Sequence, residues 1–299
     1  MIQNITGIYS AAATPIETDG SPCFELFTAH CRGLLDEGCH GIALLGTTGE
    51  ANNFSVDERM ALLDAVCNSG ISGEQLLPGT SCSNLSETKA LTAHALSCQV
   101  KACVILPPFY YKGVSDEGLF RFYAQLVEDL ADSRLKIILY HIPQMTQVPI
   151  SHELIYRLRT EFPDIFVGIK DSAGDIENMK KTVERFPGFS VLAGADPLLL
   201  PLLQAGGAGC ITATSNLRAD SLRYIFDHIN DPSLKAEIDQ HQKRINDWRN
   251  LSNSYAQLAT IKAMISKVRE DARWCALRPP LTAITAQEQE KIWAQMQQI

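Results

Sequence analysis

Lys170 has the residue type and the setting that a covalent catalyst needs. It ends the apolar run 165–170, which has the pattern of a short buried strand, and Asp171 and Ser172 follow it. Burying a lysine is costly, and removing water from its ammonium favours the neutral amine, which is a nucleophile. Lys170 is therefore a candidate for forming a Schiff base. The alternative is an ordinary strand-end lysine whose ammonium reaches into water.

Hydroxyl groups elsewhere in the chain could assist such an amine. The segment GTTGE at 46–50 places Thr47 and Thr48 between glycines, so that hydroxyls and backbone amides can converge on a carboxylate oxygen. Tyr140 lies near the end of another apolar run, at a height comparable to that of Lys170, and would bring a phenol near the amine. The simpler alternatives are a strand-to-helix turn for 46–50 and a plain core position for Tyr140.

Four further residues lie just after apolar runs or at their ends. Tyr110 and Tyr111 follow two prolines, a stiff pair that directs the chain away from the strand and toward a neighbouring subunit. Spacing does not separate Tyr110 from Tyr111, and both could be ordinary exposed aromatics. Asp196 is predicted to be the N-cap of a helix. His141 is the only histidine near the proposed site, and a lone histidine there is more often structural than catalytic.

The elements that must position these residues are short apolar runs separated by amphipathic segments. Helix starts are indicated at Ser55, Asn84, Ser115, Ser151 and Asp175. Continuous apolar runs are typical of parallel strands that are covered on both faces. Eight such runs are present, at 7–13, 41–45, 76–79, 102–106, 136–142, 166–170, 190–193 and 209–213. Eight strand and helix units predict a closed (β/α)8 barrel, in which catalytic residues lie at the carboxyl ends of the strands.

We predict an α/β protein with two regions. Residues 1–225 form a (β/α)8 TIM barrel that carries the active site, and residues 226–299 form a C-terminal helical region. Helical periodicity is present at 234–252, 255–268 and 286–298. The segment AGGAG at 205–209 follows a helical run and precedes a strand, which is the reverse of the order in a dinucleotide site. Gly206 or Gly207 is instead predicted to end a helix.

The composition argues against several classes of function. A net charge of −8, from 34 acidic and 26 basic residues, disfavours binding to nucleic acid. No apolar run approaches the length of about 18 residues that a membrane helix needs, and the N-terminal segment lacks the pattern of a signal peptide, so we expect a cytoplasmic protein. Nine cysteines without a Cys-x-x-Cys pair indicate reduced thiols. No glycine-rich cofactor motif or metal-ligand set is evident, and we expect neither cofactor nor metal.

In their order and spacing, these segments resemble the dihydrodipicolinate synthase and N-acetylneuraminate lyase superfamily, the pyruvate-type class I aldolases and lyases. The resemblance extends over the whole chain. It implies a (β/α)8 barrel and a homo-oligomer, commonly a homotetramer built as a dimer of dimers. The segments that carry it are GTTGE at 46–50, YHIP at 140–143, GIKD at 168–171, GAD at 194–196, AGGAG at 205–209 and RPPL at 278–281.

The resemblance also implies a role for each site residue. Lys170 would condense with the ketone of pyruvate or another 2-oxo acid, and Tyr140 would shuttle the proton. Thr47 and Thr48 would hold the carboxylate, with Thr48 also among the catalytic groups, and Tyr111 would extend a proton relay from the adjacent subunit. Further substrate contacts are expected from Gly194, Asp196 and Ile211. The protonated imine is an electron sink, so this chemistry needs no metal or cofactor.

The chain departs from dihydrodipicolinate synthases at one position that matters for the substrate. In those enzymes an arginine two residues after the proline of Tyr-x-x-Pro grips the carboxylate of the second substrate. Met145 stands there in this chain, and a thioether cannot replace a guanidinium. His141 also replaces the usual asparagine. We therefore expect an aldolase or dehydratase acting on a 2-oxo acid such as a 2-keto-3-deoxy sugar acid, with Gln144, Gln147 and Asp196 as possible partners of its hydroxyls. The alternatives are a dihydrodipicolinate synthase or a non-catalytic 2-oxo acid binding protein.

Overall fold

A parallel sheet of seven strands forms the centre of the molecule. The computed structural model describes residues 5–299, so residues 1–4 of the predicted barrel lie outside the described residues. The strand order is β2, β1, β7, β6, β5, β4, β3. The strands are β1 (Gly7–Ser10), β2 (Gly41–Ile42), β3 (Cys103–Ile105), β4 (Ile137–His141), β5 (Phe166–Asp171), β6 (Ser190–Ala193) and β7 (Gly209–Thr212).

The predicted strand at 76–79 is not a regular strand, but it closes the sheet between β2 and β3. Leu76 forms a parallel bridge with Ile42 of β2, and Gly79, at the other end of the segment, forms one with Val104 of β3. The amide of Val104 also donates to the carbonyl of Pro78 at 2.9 Å. Pro78 has no amide hydrogen, which interrupts the ladder. The TIM barrel is therefore confirmed, with seven regular strands and one irregular segment in place of eight strands.

Helices surround the barrel and then continue past it. The first nine are α1 (Phe24–Asp36), α2 (Val56–Asn68), α3 (Leu85–Ser97), α4 (Asp116–Leu130), α5 (Pro143–Thr146), α6 (His152–Glu161), α7 (Ile176–Arg185), α8 (Leu199–Gln204) and α9 (Ser215–His228). The last three are α10 (Lys235–Ser252), α11 (Gln257–Arg269) and α12 (Ala286–Met296). Their bounds are close to the three predicted helical segments. None of the helices in residues 5–299 combines the length and the apolar character needed to cross a membrane.

The predicted helix boundaries follow from local hydrogen bonds. Ser55, Asn84, Ser115, Ser151 and Asp175 each accept a hydrogen bond from a backbone amide of the first turn, as N-cap residues do. A glycine ends α8 as predicted, because Gly206 has a φ of +86°, which glycine adopts without a steric penalty.

Alternation along the strands divides the core between the inside of the barrel and the layer under the helices. In β4, Ile138 and Tyr140 belong to the inner apolar cluster, whereas Ile137 and Leu139 pack in the outer one. A third cluster joins the C-terminal helices to the carboxyl ends of β1 and β7. Its members include Ala13, Ala213, Trp248, Ile261, Met264 and Trp274. The C-terminal helices therefore pack at the end of the barrel where the site residues lie.

Candidate active site

Tyr140 and Lys170 lie side by side at the carboxyl ends of β4 and β5. They are register partners in the parallel sheet, so both side chains point into the barrel. The Nζ atom of Lys170 lies 4.1 Å from the centroid of the Tyr140 ring. Tyr140 is 4% exposed and Lys170 is 5% exposed. The barrel thus holds an amine and a phenol in contact, with little access to water.

The neighbours of Tyr140 tune its phenol for proton exchange. Burial raises the pKa of Tyr140, but the charge of Lys170 and hydrogen bonds with Thr47, Lys170 and Ser172 outweigh it, so the pKa is lowered below its usual value of 10.0. The hydroxyl oxygens of Tyr140 and Thr47 are 3.2 Å apart. A phenol whose pKa lies closer to the working pH is a better general acid and base.

The turn at 46–50 brings its two threonines to the same place. Thr47 and Thr48 are both half-buried, and both line the cavity at the barrel mouth. Gly49 packs so closely that a Cβ atom there would lie 2.9 Å from the carbonyl oxygen of Ala12. The glycine is therefore required by the close approach of two loops, and it fixes the direction in which the threonines point.

A buried ion pair anchors this turn to the C-terminal region. Nζ of Lys262 donates to the carboxylate of Glu50 at 2.6 Å, and the two side chains are 1% and 0% exposed. Burial lowers the pKa of Lys262, and the charge of Glu50 opposes that shift. This second buried lysine gives no signal in the sequence, because it lies within α11, where no strand-end pattern marks it.

The barrel mouth opens into a cavity of about 490 Å³. The predicted site residues that line it are Thr47, Thr48, Tyr140, Lys170, Gly194 and Ile211. Gln144 and Met145 of α5 complete the wall on one side, and Arg249, Gln257 and the segment 280–282 contribute from the C-terminal region. A smaller space shares Thr47, Tyr140, Lys170 and Ile211 and is also lined by Arg59.

Asp196 is not the helix cap that the sequence predicts. It begins a short 3-10 helix, Asp196–Leu198, whose N-cap residue is Ala195, and no side-chain cap hydrogen bond forms. Its side chain is fully buried, and one carboxylate oxygen lies 3.6 Å from Nη1 of Arg249. Asp196 is absent from the cavity wall, whereas Arg249 beside it lines that wall.

Tyr110, Tyr111 and Gln147 do not line the cavity in this chain. The two tyrosines are each 72% exposed, on the loop between β3 and α4, with ring centroids 5.2 Å apart. Gln147 follows α5 in a left-handed conformation. Gln144 does reach the cavity, and its amide nitrogen donates to the carbonyl of Ser172 at 2.6 Å.

His141 has a structural position, as predicted. Its Nδ1 atom accepts a hydrogen bond from the backbone amide of Ile150 at 3.1 Å, and the residue is 7% exposed. Burial lowers the pKa of His141, and the charge of Asp171 opposes the shift. The neutral imidazole that results can accept this bond and stabilise the loop after β4.

Arg278 holds the C-terminal segment against the barrel mouth. Its guanidinium donates to the carbonyls of Gly20 and Asn53 at 2.6 and 2.7 Å, and to the carboxylate of Glu58 at 2.8 Å. The hydrogen bonds from Arg278 hold the pKa of Glu58 at about 2, although burial opposes the shift. This anchor explains why residues 280–282, directly after Arg278, form part of the cavity wall.

Sequence reasoning missed both arginines at the site. Arg59 in α2 is 3% exposed and donates to the carbonyls of Gly79 and Ser81 at 2.9 and 3.0 Å. Arg249 in α10 lines the larger cavity. A basic residue in an amphipathic helix is normally on the solvated face, so neither position gave a signal in the sequence.

One group of possible metal ligands lies away from this cavity. Within residues 5–299 it consists of Asp64, His94 and Cys98 on or just after α2 and α3. Nε2 of His94 is 3.0 Å from a carboxylate oxygen of Asp64, which makes an ion pair when the histidine is protonated. None of the three residues lines either space described above, so the group has no direct part in the chemistry at Lys170.

Comparisons with known proteins agree on one family. A sequence model of the dihydrodipicolinate synthetase family matches residues 4–299. An uncharacterised DapA-like lyase of Chloroflexus aurantiacus is 35% identical over 285 residues, which is 94% of this chain and 93% of that protein. A 4-hydroxy-tetrahydrodipicolinate synthase of Neisseria meningitidis serogroup C is 34% identical over 71% of each chain. The crystal structure of dihydrodipicolinate synthase from Agrobacterium tumefaciens superposes with a TM-score of 0.86 at 27% identity, covering 97% of this chain and 98% of that one.

Proposed function

Because the chain belongs to the dihydrodipicolinate synthetase family, we propose that it is a lyase in which Lys170 forms a Schiff base with pyruvate or another 2-oxo acid. The contact between Lys170 and Tyr140 is the observation that carries this proposal. A buried amine 4.1 Å from the centre of a buried phenol ring is the pair that imine chemistry needs, one group to attack and one to move protons. Such a lyase acts as a class I aldolase or as a dehydratase.

The proposed reaction begins when the neutral amine of Lys170 attacks the keto carbon of the substrate. The resulting carbinolamine loses water, with Tyr140 donating the proton, and leaves a protonated imine. In the aldolase, the C4 hydroxyl loses its proton and the C3–C4 bond breaks, which releases an aldehyde and sends the bonding electron pair into the imine to give an enamine. In the dehydratase, removing a proton from C3 gives the enamine. In the aldolase, protonation of C3 and hydrolysis of the imine then release pyruvate and the free lysine. In the dehydratase, the enamine expels the C4 hydroxyl group, which takes up a proton and leaves as water, and hydrolysis of the resulting imine releases the unsaturated 2-oxo acid and the free lysine. The positive imine nitrogen is the electron sink, so these steps are written without metal or cofactor.

The threonines support binding of the substrate carboxylate in this scheme. Thr47 and Thr48 line the same cavity as Lys170, and the hydroxyl of Thr47 also reaches Tyr140. Thr47 therefore has two proposed contacts: it helps to hold the carboxylate, and it reaches Tyr140, the group that moves the proton. Gly194 and Ile211 line the remaining wall near the imine and are proposed to contact the substrate.

We also propose that the working protein is a cytoplasmic homo-oligomer, a dimer of dimers, in which Tyr111 extends the proton relay to a neighbouring copy. Tyr110 and Tyr111 project from the loop after β3, and 72% of each is exposed in the single chain. Large exposed aromatics are enriched at protein interfaces, which supports a contact here. The nine free cysteines are consistent with a reducing compartment.

A second candidate function is dihydrodipicolinate synthase itself. The similarity to 4-hydroxy-tetrahydrodipicolinate synthases supports it. Met145 argues against it, because this residue lines the cavity and brings no charge to a carboxylate. A binding protein without turnover has no need of an imine-forming lysine beside a phenol, so we place that alternative last.

Turnover of defined 2-oxo acids tests the proposal. The purified protein is incubated with a panel of 2-keto-3-deoxy sugar acids, and pyruvate release and loss of water are followed by a coupled assay and by mass spectrometry. We expect either pyruvate release or loss of water. Lys170→Ala should abolish this turnover, whereas Lys235→Ala, at an exposed lysine of α10, should leave it unchanged. Turnover that survives Lys170→Ala would overturn the proposal.

A further inference from the structure

The cavity carries positive charge at two places and no negative charge. Among the described residues that line it, Lys170 and Arg249 are the only charged ones. Lys170 lies at the barrel end of the cavity, where the proposed function assigns it to the keto group. Arg249 comes from α10 in the C-terminal region and has no role in that chemistry. A cavity with this charge distribution favours a ligand that is anionic at more than one point.

The guanidinium of Arg249 is fixed at the cavity wall. Its side chain is 20% exposed, and Nη1 lies 3.6 Å from a carboxylate oxygen of the fully buried Asp196. When the Gln257 side-chain amide is oriented so that its oxygen faces Arg249, this oxygen accepts a hydrogen bond from Nη1 of Arg249 and a second one from Nη2 at 3.0 Å. These two contacts come from different elements and hold a long side chain in one place, so its donors are ordered before a ligand arrives.

Asp196 orients Arg249 without occupying its donors. Neither carboxylate oxygen of Asp196 has a hydrogen-bond partner within residues 5–299. A separation of 3.6 Å is longer than a hydrogen bond, so the attraction is that of two charges. A guanidinium has five N–H donors, and it retains enough of them to bind a carboxylate through two parallel hydrogen bonds.

We propose that Arg249 binds a second carboxylate of the substrate, so that the preferred ligand is a 2-oxo acid with a carboxylate at its far end. This inference rests on the proposed function, since it assumes that the 2-oxo end is bound at Lys170. Arg59 is not an alternative, because its guanidinium already donates to the carbonyls of Gly79 and Ser81. Arg249 is also not a substitute for the arginine that dihydrodipicolinate synthases have at the position of Met145. Met145 lies on α5, whereas Arg249 lies on α10.

Matched pairs of 2-oxo acids test the second carboxylate separately from the first. Binding to the purified protein is measured by borohydride trapping at graded concentrations for 2-oxoglutarate against 2-oxopentanoate, and for 2-oxoadipate against 2-oxohexanoate. Members of a pair have equal chain length and differ in the terminal group. We expect the dicarboxylate to bind on the order of 10- to 100-fold more tightly in at least one pair, as for a partly exposed charge-assisted contact.

Variants then assign the preference to Arg249. Arg249→Met should reduce the ratio within the pair to about one, while pyruvate trapping stays close to that of the parent protein. Arg244→Met, at an exposed arginine of the same helix, is the matched control and should keep the ratio. If Arg249→Met fails to fold because Asp196 loses its partner, the double variant Asp196→Asn with Arg249→Met removes both charges together.

The outcomes separate this inference from the proposed function. If pyruvate is trapped but the parent protein prefers neither dicarboxylate, the inference is wrong and the proposed function stands. A preference that survives Arg249→Met, or the double variant, also overturns it. A purely structural role of Arg249 would weaken both members of a pair equally and leave their ratio unchanged. No trapping of any 2-oxo acid would instead refute the proposed function on which the inference rests.

Discussion

Replacing Tyr140 with phenylalanine removes the proposed acid and base and leaves the ring beside Lys170. The substitution also removes the hydrogen bond between the hydroxyls of Tyr140 and Thr47, which are 3.2 Å apart. Thr47 is half-buried and can turn toward water, so the free energy of unfolding should fall by only about 1 kcal/mol. Turnover should fall by about 10² to 10⁴, or about 3 to 5 kcal/mol in the activation free energy, because proton transfer loses its catalyst.

The assay compares turnover, imine trapping and thermal unfolding in one set of variants. Trapping by borohydride should decrease less than turnover, since imine formation can use protons from water. In the parent protein the pH profile should show an inflection below pH 10, in line with the lowered pKa of Tyr140, and this inflection should be absent from the residual rate of Tyr140→Phe. Tyr123→Phe is the matched control, because Tyr123 is also buried but belongs to α4 and does not line the cavity. Unchanged turnover in Tyr140→Phe would show that Tyr140 is only a core residue.

Three further predictions address the substrate, the anchor of the cavity wall and the loop after β3. The unmodified protein should not efficiently condense pyruvate with aspartate semialdehyde, since Met145 leaves that carboxylate without a partner, which lowers affinity by about 30-fold to several thousandfold. Met145→Arg should improve the condensation in a coupled assay, whereas efficient condensation by the parent protein would restore dihydrodipicolinate synthase as the leading function. Arg278→Met should lower the free energy of unfolding by about 1 to 2 kcal/mol at neutral pH, discounted because the Glu58 side chain is 31% exposed. The depressed pKa of Glu58 stabilises the fold above about pH 4.5, and this contribution is lost as the pH falls through about 2, so chemical denaturation should show parent and variant converging across that window. Tyr111→Phe should lower turnover by about tenfold or more if its hydroxyl belongs to the relay, with Tyr110→Phe as the neighbouring control, and equal rates in all three proteins would exclude the relay.

The barrel and the Lys170 site were predictable because their signals are local. Continuous apolar runs mark buried parallel strands, and Lys170 stands out because a charge ends such a run. The segment 76–79 was recognised as part of the barrel, but its irregular form was not foreseen. Pro78 has no amide hydrogen, and whether this interrupts the strand pairing depends on which neighbouring strand lies on that side. Asp196 was misjudged for a related reason. Asp is a frequent N-cap, yet Ala195 takes that position and the carboxylate is buried beside Arg249.

The C-terminal contribution to the site could not be predicted from the sequence. Arg249 and Lys262 lie within α10 and α11, and Arg278 lies in the irregular segment before α12, all far along the chain from the residues they contact. Helical charges are usually solvated, and nothing in the spacing of Arg249 and Lys262 reveals that they point toward the barrel mouth. Only tertiary packing of the C-terminal region brings Arg249 to Asp196, Lys262 to Glu50 and Arg278 to Glu58.

Covalent trapping with pyruvate and borohydride tests the central claim most directly. The treated protein is digested, and the peptides that contain Lys170 and Lys262 are compared by mass spectrometry. These two lysines are a stringent pair, because both are almost fully buried, but only Lys170 lines the cavity and Lys262 is bound to Glu50. We predict that the reduced pyruvate adduct lies on Lys170 alone. An adduct on Lys262 or another lysine, or no adduct with any 2-oxo acid, would contradict the account.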